Sequence, residues 1–511
     1  MTDHRKLVRV ALGLTCVAAV MLPLALRQAR AVGASAAFPL SVSADGHRLI
    51  DASGREQLLV ADAFWEMATA TVAADLDGYL TKRQAQGFNA VEIQLIDRYY
   101  SPRSPANLAG DQPFTTPGDF ATPNPAYWAY VDTVLGKVRD AGMVAIVNPD
   151  YYGWGPDGWW PEMTTNGAVK MRAYGQWVAT RYLGFANLVW AHGVDRCPGD
   201  KTLIGAVPNG IRDVLPNAIQ TWQNDRGLTA GGCGVRGEPW FNLDNTYTTT
   251  DVGLPTLTAF QQNPPKPVLH IEGAYEGDGS SLAQIRAQAY SAILNGATGH
   301  VYGNSTVWCG CAGWQAAVSS PGAVQVGIAG TLLSSIPSLV PSPALITAGL
   351  GSGDARASVA ANAAGTVALY VPTNRSVTVN LPAGTLTKYE PTTGASVSVS
   401  VVAAGVQTLT APAGGDWFAV LRPGAPPPTT VGGTGPTTLA PTTLAPTTLA
   451  PTTLAPSTTA ATAPPTTPAV TTATTTAPMT CRQVVQVKNS AGNWVTRYID
   501  QPASFCAASH T

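Results

Sequence analysis

The sequence predicts a (β/α)8 barrel of the α/β class, followed by a small β-sandwich, a Thr/Pro/Ala-rich linker and a short C-terminal module. Three observations carry this. Eight short apolar, β-branched runs recur through residues 37–341, separated by segments with helical spacing. After residue 344 the helical spacing gives way to short Val/Thr/Ala strands between Gly and Pro turns, as in Gly365-Thr-Val-Ala-Leu-Tyr-Val371 and Ser376-Val-Thr-Val-Asn-Leu381. Beyond residue 424 the chain collapses to Thr, Pro and Ala, with TTLAP four times in succession over 437–456. Such a segment has too little apolar surface to fold and reads as an extended spacer.

The predicted strands are 58–63, 89–96, 144–149, 187–191, 219–222, 242–247, 268–272 and 300–304. Helical runs are predicted at 75–86, where Leu76, Tyr79, Leu80 and Arg83 share a face, and at 127–141 and 283–295. A doubly wound open sheet is the alternative, but no Gly-rich fingerprint supports a nucleotide site in one. Domain limits follow as 37–341, 344–423, 424–480 and 481–511. In the last, Val484, Val485 and Val487 and then Trp494, Val495 and Tyr498 flank Asn489-Ser-Ala-Gly492, a hairpin pattern.

Residues 1–31 read as a secretory signal peptide. Arg5, Lys6 and Arg9 precede an apolar run from Val10 to Leu26, and Ala29-Arg30-Ala31 supplies a small-residue cleavage site. The run is short for a bilayer span, and no other stretch reads as long and apolar enough to make one. The expected location is therefore extracellular or cell-surface, with no membrane contact after cleavage. Six cysteines follow the leader, an even number that suits disulfides in an exported protein. Cys481 and Cys506 pair most simply with each other. Cys309 and Cys311 are too close in sequence for a low-strain bridge to each other, and the pairing of Cys197, Cys233, Cys309 and Cys311 stays open. No CxxC pair or HExxH motif points to a metal, so neither metal nor cofactor is expected.

Lys and Arg number 30 against 31 Asp and Glu, which excludes an electrostatic nucleic-acid binder. Function in such a barrel lies at the C-terminal ends of strands. The residues there are rich in carboxylates, amides and rings. Asp62 and Trp65 follow the first strand, and Gln94 the second. Asp150, Tyr151 and Trp154 follow the third, and Asp195 the fourth. Asn245 and Tyr247 close the sixth; Glu272, Tyr275 and Glu276 follow the seventh; Tyr302, Asn304 and Trp308 the eighth. Aromatic faces stack on sugar C–H surfaces while carboxylates and amides take hydroxyls, so the rim reads as a sugar site. The Gly/Pro-rich run Tyr151-Tyr-Gly-Trp-Gly-Pro-Asp-Gly-Trp-Trp160 reads as a binding surface rather than core.

Several segments are familiar. Leu59-Val-Ala-Asp62-Ala-Phe-Trp65-Glu, Arg83-Gln-Ala-Gln-Gly-Phe-Asn89, Asn187-Leu-Val-Trp-Ala-His-Gly-Val-Asp195-Arg, Lys266-Pro-Val-Leu-His-Ile-Glu272-Gly-Ala-Tyr-Glu276-Gly and Gly296-Ala-Thr-Gly-His-Val-Tyr-Gly303-Asn occur in that order. Region 37–341 thereby resembles the apiosidase-like glycoside hydrolases of family 140, and the segment after it resembles the collagen-binding-type β-domain that often follows them. The resemblance implies a glycosidase acting on a poly- or oligosaccharide side chain of plant or microbial origin. It implies Asp195 as acid/base, Glu272 as nucleophile and a retaining mechanism. Two carboxyls about 5–5.5 Å apart suit retention and about 6.5–9.5 Å inversion. Glu276 is the rival nucleophile. His270 would share a face with Glu272 by strand alternation. Arg196 is placed to hold the charge of Asp195 or to cap its loop, and Asp97 with Arg98 reads as a surface pair. The chain departs from the family pattern at Val194, usually Gly, and at Thr221-Trp222-Gln223, where relatives commonly carry a His. A non-catalytic carbohydrate-binding or adhesion protein on the same scaffold is the alternative, and the C-terminal module is a candidate contact to cell wall or glycan.

Overall fold

The computed structural model describes residues 36–227, 233–412 and 414–424, and the backbone of strands Cys481–Lys488 and Trp494–Gln501. The leader, the TTLAP spacer and Cys506 lie outside the described residues.

Eight parallel strands form the barrel: β1 Leu59–Ala63, β2 Ala90–Gln94, β3 Val144–Asn148, β4 Leu188–Gly193, β5 Gln220–Gln223, β6 Asp244–Tyr247, β7 Val268–Glu272 and β8 Ala297–Asn304. They run in the order β5-β4-β3-β2-β1-β8-β7-β6. β1, β2 and β3 are buried along their whole length, as strands covered on both faces must be. The seam between β5 and β6 is closed by other bonds. Leu243 N–H donates to Gln220 O (3.1 Å), Gln220 N–H to Asn242 Oδ1 (2.8 Å) and Asn245 Nδ2 to Trp222 O (2.6 Å).

The outer layer is α1 Ala73–Ala85, α2 Pro125–Asp140, α3 Trp160–Arg181, α4 Ala206–Val214, α5 Gly253–Phe260, α6 Leu282–Leu294 and α7 Pro321–Ser334. Helix starts carry local signals. Asn124 accepts from Ala126 N–H with Pro125 in the first turn of α2, and Ser281 accepts from Gln284 N–H to open α6. α3, α4, α5 and α7 were not among the helical runs read from the sequence. α3 begins at Trp160, so the aromatic run 151–160 is part loop and part helix entry, and it is mostly core rather than the expected binding surface: Tyr151, Tyr152 and Trp159 are buried and of its rings only Trp154 is exposed. Trp314–Ser334 also corrects the sequence reading: these 21 residues hold an 18-residue window of mean hydropathy 1.3 and match a membrane span in length and composition. In the fold it holds the short helix Trp314–Ala317 and α7, with Trp314, Ala323, Val326, Ala329 and Leu333 in the core.

Beneath the barrel, Ser41–Val42, Leu49–Ile50 and Glu56–Gln57 make a small antiparallel sheet. Leu49 N–H donates to Thr298 Oγ1 of β8 (3.3 Å). After the barrel come a six-stranded and a three-stranded antiparallel sheet. Strand alternation decides what each face packs on. Val367, Leu369 and Val371, with Trp417, Ala419 and Leu421, join the core shared by the two sheets. The intervening Ala368, Tyr370, Phe418 and Val420 belong to the barrel's core. Tyr370 stacks on Tyr290 of α6 (4.4 Å), and Arg286 Nε donates to Asp416 Oδ2 (2.7 Å). Cys481–Lys488 and Trp494–Gln501 pair antiparallel as a separate hairpin.

Candidate active site

A cleft of about 580 Å³ opens at the C-terminal rim, and Asp195 and Glu272 both line it. Asp195 follows β4 through an unusual turn. Gly193, Val194 and Asp195 all have positive φ (80°, 58° and 59°). A Cβ at Gly193 would lie 2.5 Å from the Trp222 ring, so only glycine fits there. Val194 has no such excuse: a β-branched residue in this region is strained by about 1–2 kcal/mol. Its side chain is fully buried, which offsets that cost. Strain held at a functional residue fixes where the carboxyl points.

Glu272 reaches the cleft by a different device. On β7, His270 pairs with Thr246 of β6 and Glu272 with Tyr247, so two steps on β7 match one on β6. The extra residue is a bulge, which re-aims a side chain. His270 therefore does not share a face with Glu272. Its Nδ1 meets His300 Nδ1 (2.8 Å) and its Nε2 meets Thr248 O (3.0 Å).

The electrostatics differ at the two carboxyls. Burial raises Asp195 to about 7, Asp157 and Asp225 add to the rise, and Arg226 opposes it. Burial also raises Glu272, helped by the charges of Asp195 and Glu92, while bonds from Tyr275 and Tyr247 lower it. Gln223 Nε2 donates to Glu272 Oε2 (2.5 Å). Burial thus raises both carboxyls and neighbouring carboxylates add to the rise at each; what distinguishes Glu272 is that Tyr275, Tyr247 and Gln223 donate to it and counter part of that rise. Glu92, fully buried in β2, is raised first by burial and also by Asp195, with Asn148 opposing.

Trp65, Gln94, Tyr151, Tyr275 and Trp308 line the same cleft. Tyr247, offered by the end of the sixth predicted strand, lines it too; Tyr100 and Arg226 also line it and were not singled out in the sequence, nor was Glu92, while Gln223 was noted only as a departure from the family pattern. Tyr100 and Tyr151 hydroxyls both donate to Asp157. Tyr247 closes a predicted strand, so its position was open to the sequence. Arg226 lies three residues past β5, in a stretch with no periodic signal. It is Arg226 that opposes the proton on Asp195, while Arg196 lies over the Trp160 ring (5.5 Å).

The remaining predicted binding residues lie outside the cleft lining. Asp62 turns to α1, where it accepts from Arg83 Nε (2.7 Å) and Tyr79 OH (2.5 Å). Asp150 holds His192 Nδ1 (3.1 Å), whose Nε2 meets Gln220 Oε1 (3.0 Å). Asn245 is used in the β5–β6 seam. Glu276 accepts from Tyr302 OH, Ser320 Oγ (2.8 Å) and Gly322 N–H (3.0 Å), anchoring the start of α7. Asn304 Oδ1 accepts from Thr306 and Val307 N–H, holding the turn after β8. Trp154 is 72% exposed. At a barrel rim polar side chains point both into the mouth and out to the helices, and residue type alone does not separate the two. Asp97, read as half of a surface pair, is buried and caps the N–H groups of Tyr99, Tyr100 and Ser101, while Arg98 pairs with Glu162.

Among the described residues two disulfides are present. Cys197–Cys233 ties the loop carrying Asp195 to the segment after β5. Cys309 and Cys311, whose pairing the sequence left open, bridge each other: Gly310 at φ +56° folds the loop so that their Cα atoms are 5.1 Å apart. Among the described residues no group of three His, Cys, Asp or Glu side chains is placed to hold a metal.

A closed parallel barrel with paired carboxyls in an aromatic cleft at its C-terminal rim defines a glycoside hydrolase. Residues 43–339 match the family model described as apiosidase-like, catalytic domain, and the chain belongs to that family. The fold is shared with a solved glycoside hydrolase at TM-score 0.65 and 18% identity, over 76% of this chain and 98% of that one. It is shared equally with a glycoside hydrolase family 5 structure from Bacteroides vulgatus, at TM-score 0.64 and 19% identity, over 75% and 93% of the two chains. A comparison with curated proteins returned no match.

Proposed function

We propose that this glycoside hydrolase is exported and removes a side-chain sugar from a plant or microbial polysaccharide by a retaining, two-carboxylate mechanism. The reading rests on one observation above the others: Asp195 and Glu272 line one cleft at the C-terminal rim, and Gln223, Tyr247 and Tyr275 all bond to Glu272. Asp195 holds the proton and delivers it to the glycosidic oxygen as the C–O bond breaks. Glu272, whose carboxyl accepts from Gln223, Tyr247 and Tyr275, attacks the anomeric carbon as carboxylate and forms the glycosyl-enzyme ester. Water then enters, Asp195 takes its proton, and the sugar–Glu272 bond breaks with net retention. Trp65, Tyr151 and Trp308 supply ring faces for the sugar. The signal-like segment 1–31 and the disulfides support export to an oxidising compartment. The C-terminal module is assigned the role of a glycan or cell-wall contact at the end of the Thr/Pro-rich spacer.

The test is a screen of aryl glycosides, furanosides included, and purified polysaccharides against wild type, Glu272→Gln and Glu276→Gln. The reading expects turnover by wild type and Glu276→Gln, and a loss of several orders of magnitude in Glu272→Gln. Loss in Glu276→Gln alone transfers the nucleophile's role. Binding without turnover on any substrate leaves a carbohydrate-binding protein.

A further inference from the structure

Among the described residues only two aromatic side chains are exposed, Tyr99 at 68% and Trp154 at 72%. Both stand on the catalytic rim, Tyr99 in the loop after β2 and Trp154 in the loop after β3, and both adjoin the aromatic wall of the cleft. The Tyr99 ring meets cleft-lining Tyr100 edge to face at 5.5 Å. Trp154 sits three residues before Asp157, the carboxylate that receives the Tyr100 and Tyr151 hydroxyls.

Neither ring sits on a loose loop. Tyr99 N–H donates to buried Asp97 (2.8 Å). The Trp154 loop is pinched at its base: a Cβ at Gly153 would lie 2.2 Å from Gly158 N, and one at Gly158 would lie 2.2 Å from Tyr152 O. Its tip is tied by Gly155 N–H to Asp157 Oδ1 (2.7 Å). Arg98 braces the two loops together, donating to Pro156 O and Glu162 Oε1 (2.6 Å each). The other described rings are buried or half-buried, and aromatic burial stabilises. These two are held out in water on cross-braced loops beside the cleft.

We propose that Tyr99 and Trp154 form a platform outside the cleft that stacks on further sugar residues of a polymeric substrate. The occupant is a glycan chain continuous with the residue bound between Asp195 and Glu272, and in that respect the inference rests on the proposed function. Ring faces suit the C–H surfaces of a neutral backbone. Continuity with the cleft along Tyr100 and Asp157 gives the chain its route. The platform makes the enzyme prefer a polymer over a free small glycoside.

The test uses the full-length protein with Trp154→Ala, Tyr99→Ala, their double and Trp154→Phe. KM and kcat are measured on a soluble polysaccharide and on an aryl glycoside that wild type hydrolyses. Affinity gel electrophoresis with pectin, xylan and arabinogalactan reports binding alone. Expected are a tenfold or greater rise in polymer KM for the double variant, aryl glycoside turnover within twofold of wild type, and partial rescue by Trp154→Phe. Unchanged polymer KM and gel retention overturns the platform, as does an equal loss on both substrates. If no glycoside is cleaved by wild type but the double variant still loses gel retention, the hydrolytic reading fails and the platform stands.

Discussion

Gln223 Nε2 and Glu272 Oε2 lie 2.5 Å apart, joining the ends of β5 and β7 across the floor of the cleft. A donor to a carboxylate contributes about 1.5–3 kcal/mol. Gln223→Ala should therefore lower kcat about 10- to 100-fold, with the fold unchanged by circular dichroism. Gln223→Glu should do worse, because a second carboxylate would raise Glu272 and hold a proton on it. Full kcat in Gln223→Ala would mean that Tyr247 and Tyr275 suffice.

Asp195 titrates near 7, far above its ordinary range. As the acid it must start protonated, so kcat/KM should fall as pH rises through about 7. The stability sign follows from linkage. Between about pH 4 and pH 7 the folded state keeps this proton while the unfolded chain loses it, so stability falls as pH rises through that window. Asp195→Asn escapes the loss. It should be inactive, yet melt above wild type at pH 8 and close to it at pH 4, as scanning calorimetry would read.

Arg286 of α6 and Asp416 of the β-sheets form a buried ion pair, joined by Tyr370 OH (2.6 Å). Removing one partner of such a pair costs about 3–5 kcal/mol. Asp416→Ala should lower the melting temperature, and barrel and β-sheets should unfold in one urea transition. Two separated transitions in wild type would show that the sheets are an independent module.

Cys197 and Cys233 close a loop with a sequence separation of 36. In the chain-entropy model such a bridge stabilises by about 4 kcal/mol. The double alanine variant should unfold at lower temperature under non-reducing conditions. Because Cys197 lies two residues from Asp195, kcat should fall more than KM rises. An unchanged kcat would leave the bridge a purely structural role.

The sequence by itself determined the barrel, because eight apolar runs alternating with helical spacing state which segments are buried on both faces. It also determined where along the chain the chemistry lies, since strand ends can be read from the same pattern. It did not determine which way each polar rim residue points. Asp62, Asp150 and Glu276 carry the same carboxyl group as Asp195 and Glu272, but they turn outward to Arg83, to His192 and to the start of α7. A bulge on β7 aims Glu272 inward against simple alternation, and three left-handed residues aim Asp195. Both depend on register and on contacts between segments far apart in sequence. The same holds for Gln223 and Arg226, which act on residues roughly 30–50 positions away and become legible only when β4, β5 and β7 converge at one rim.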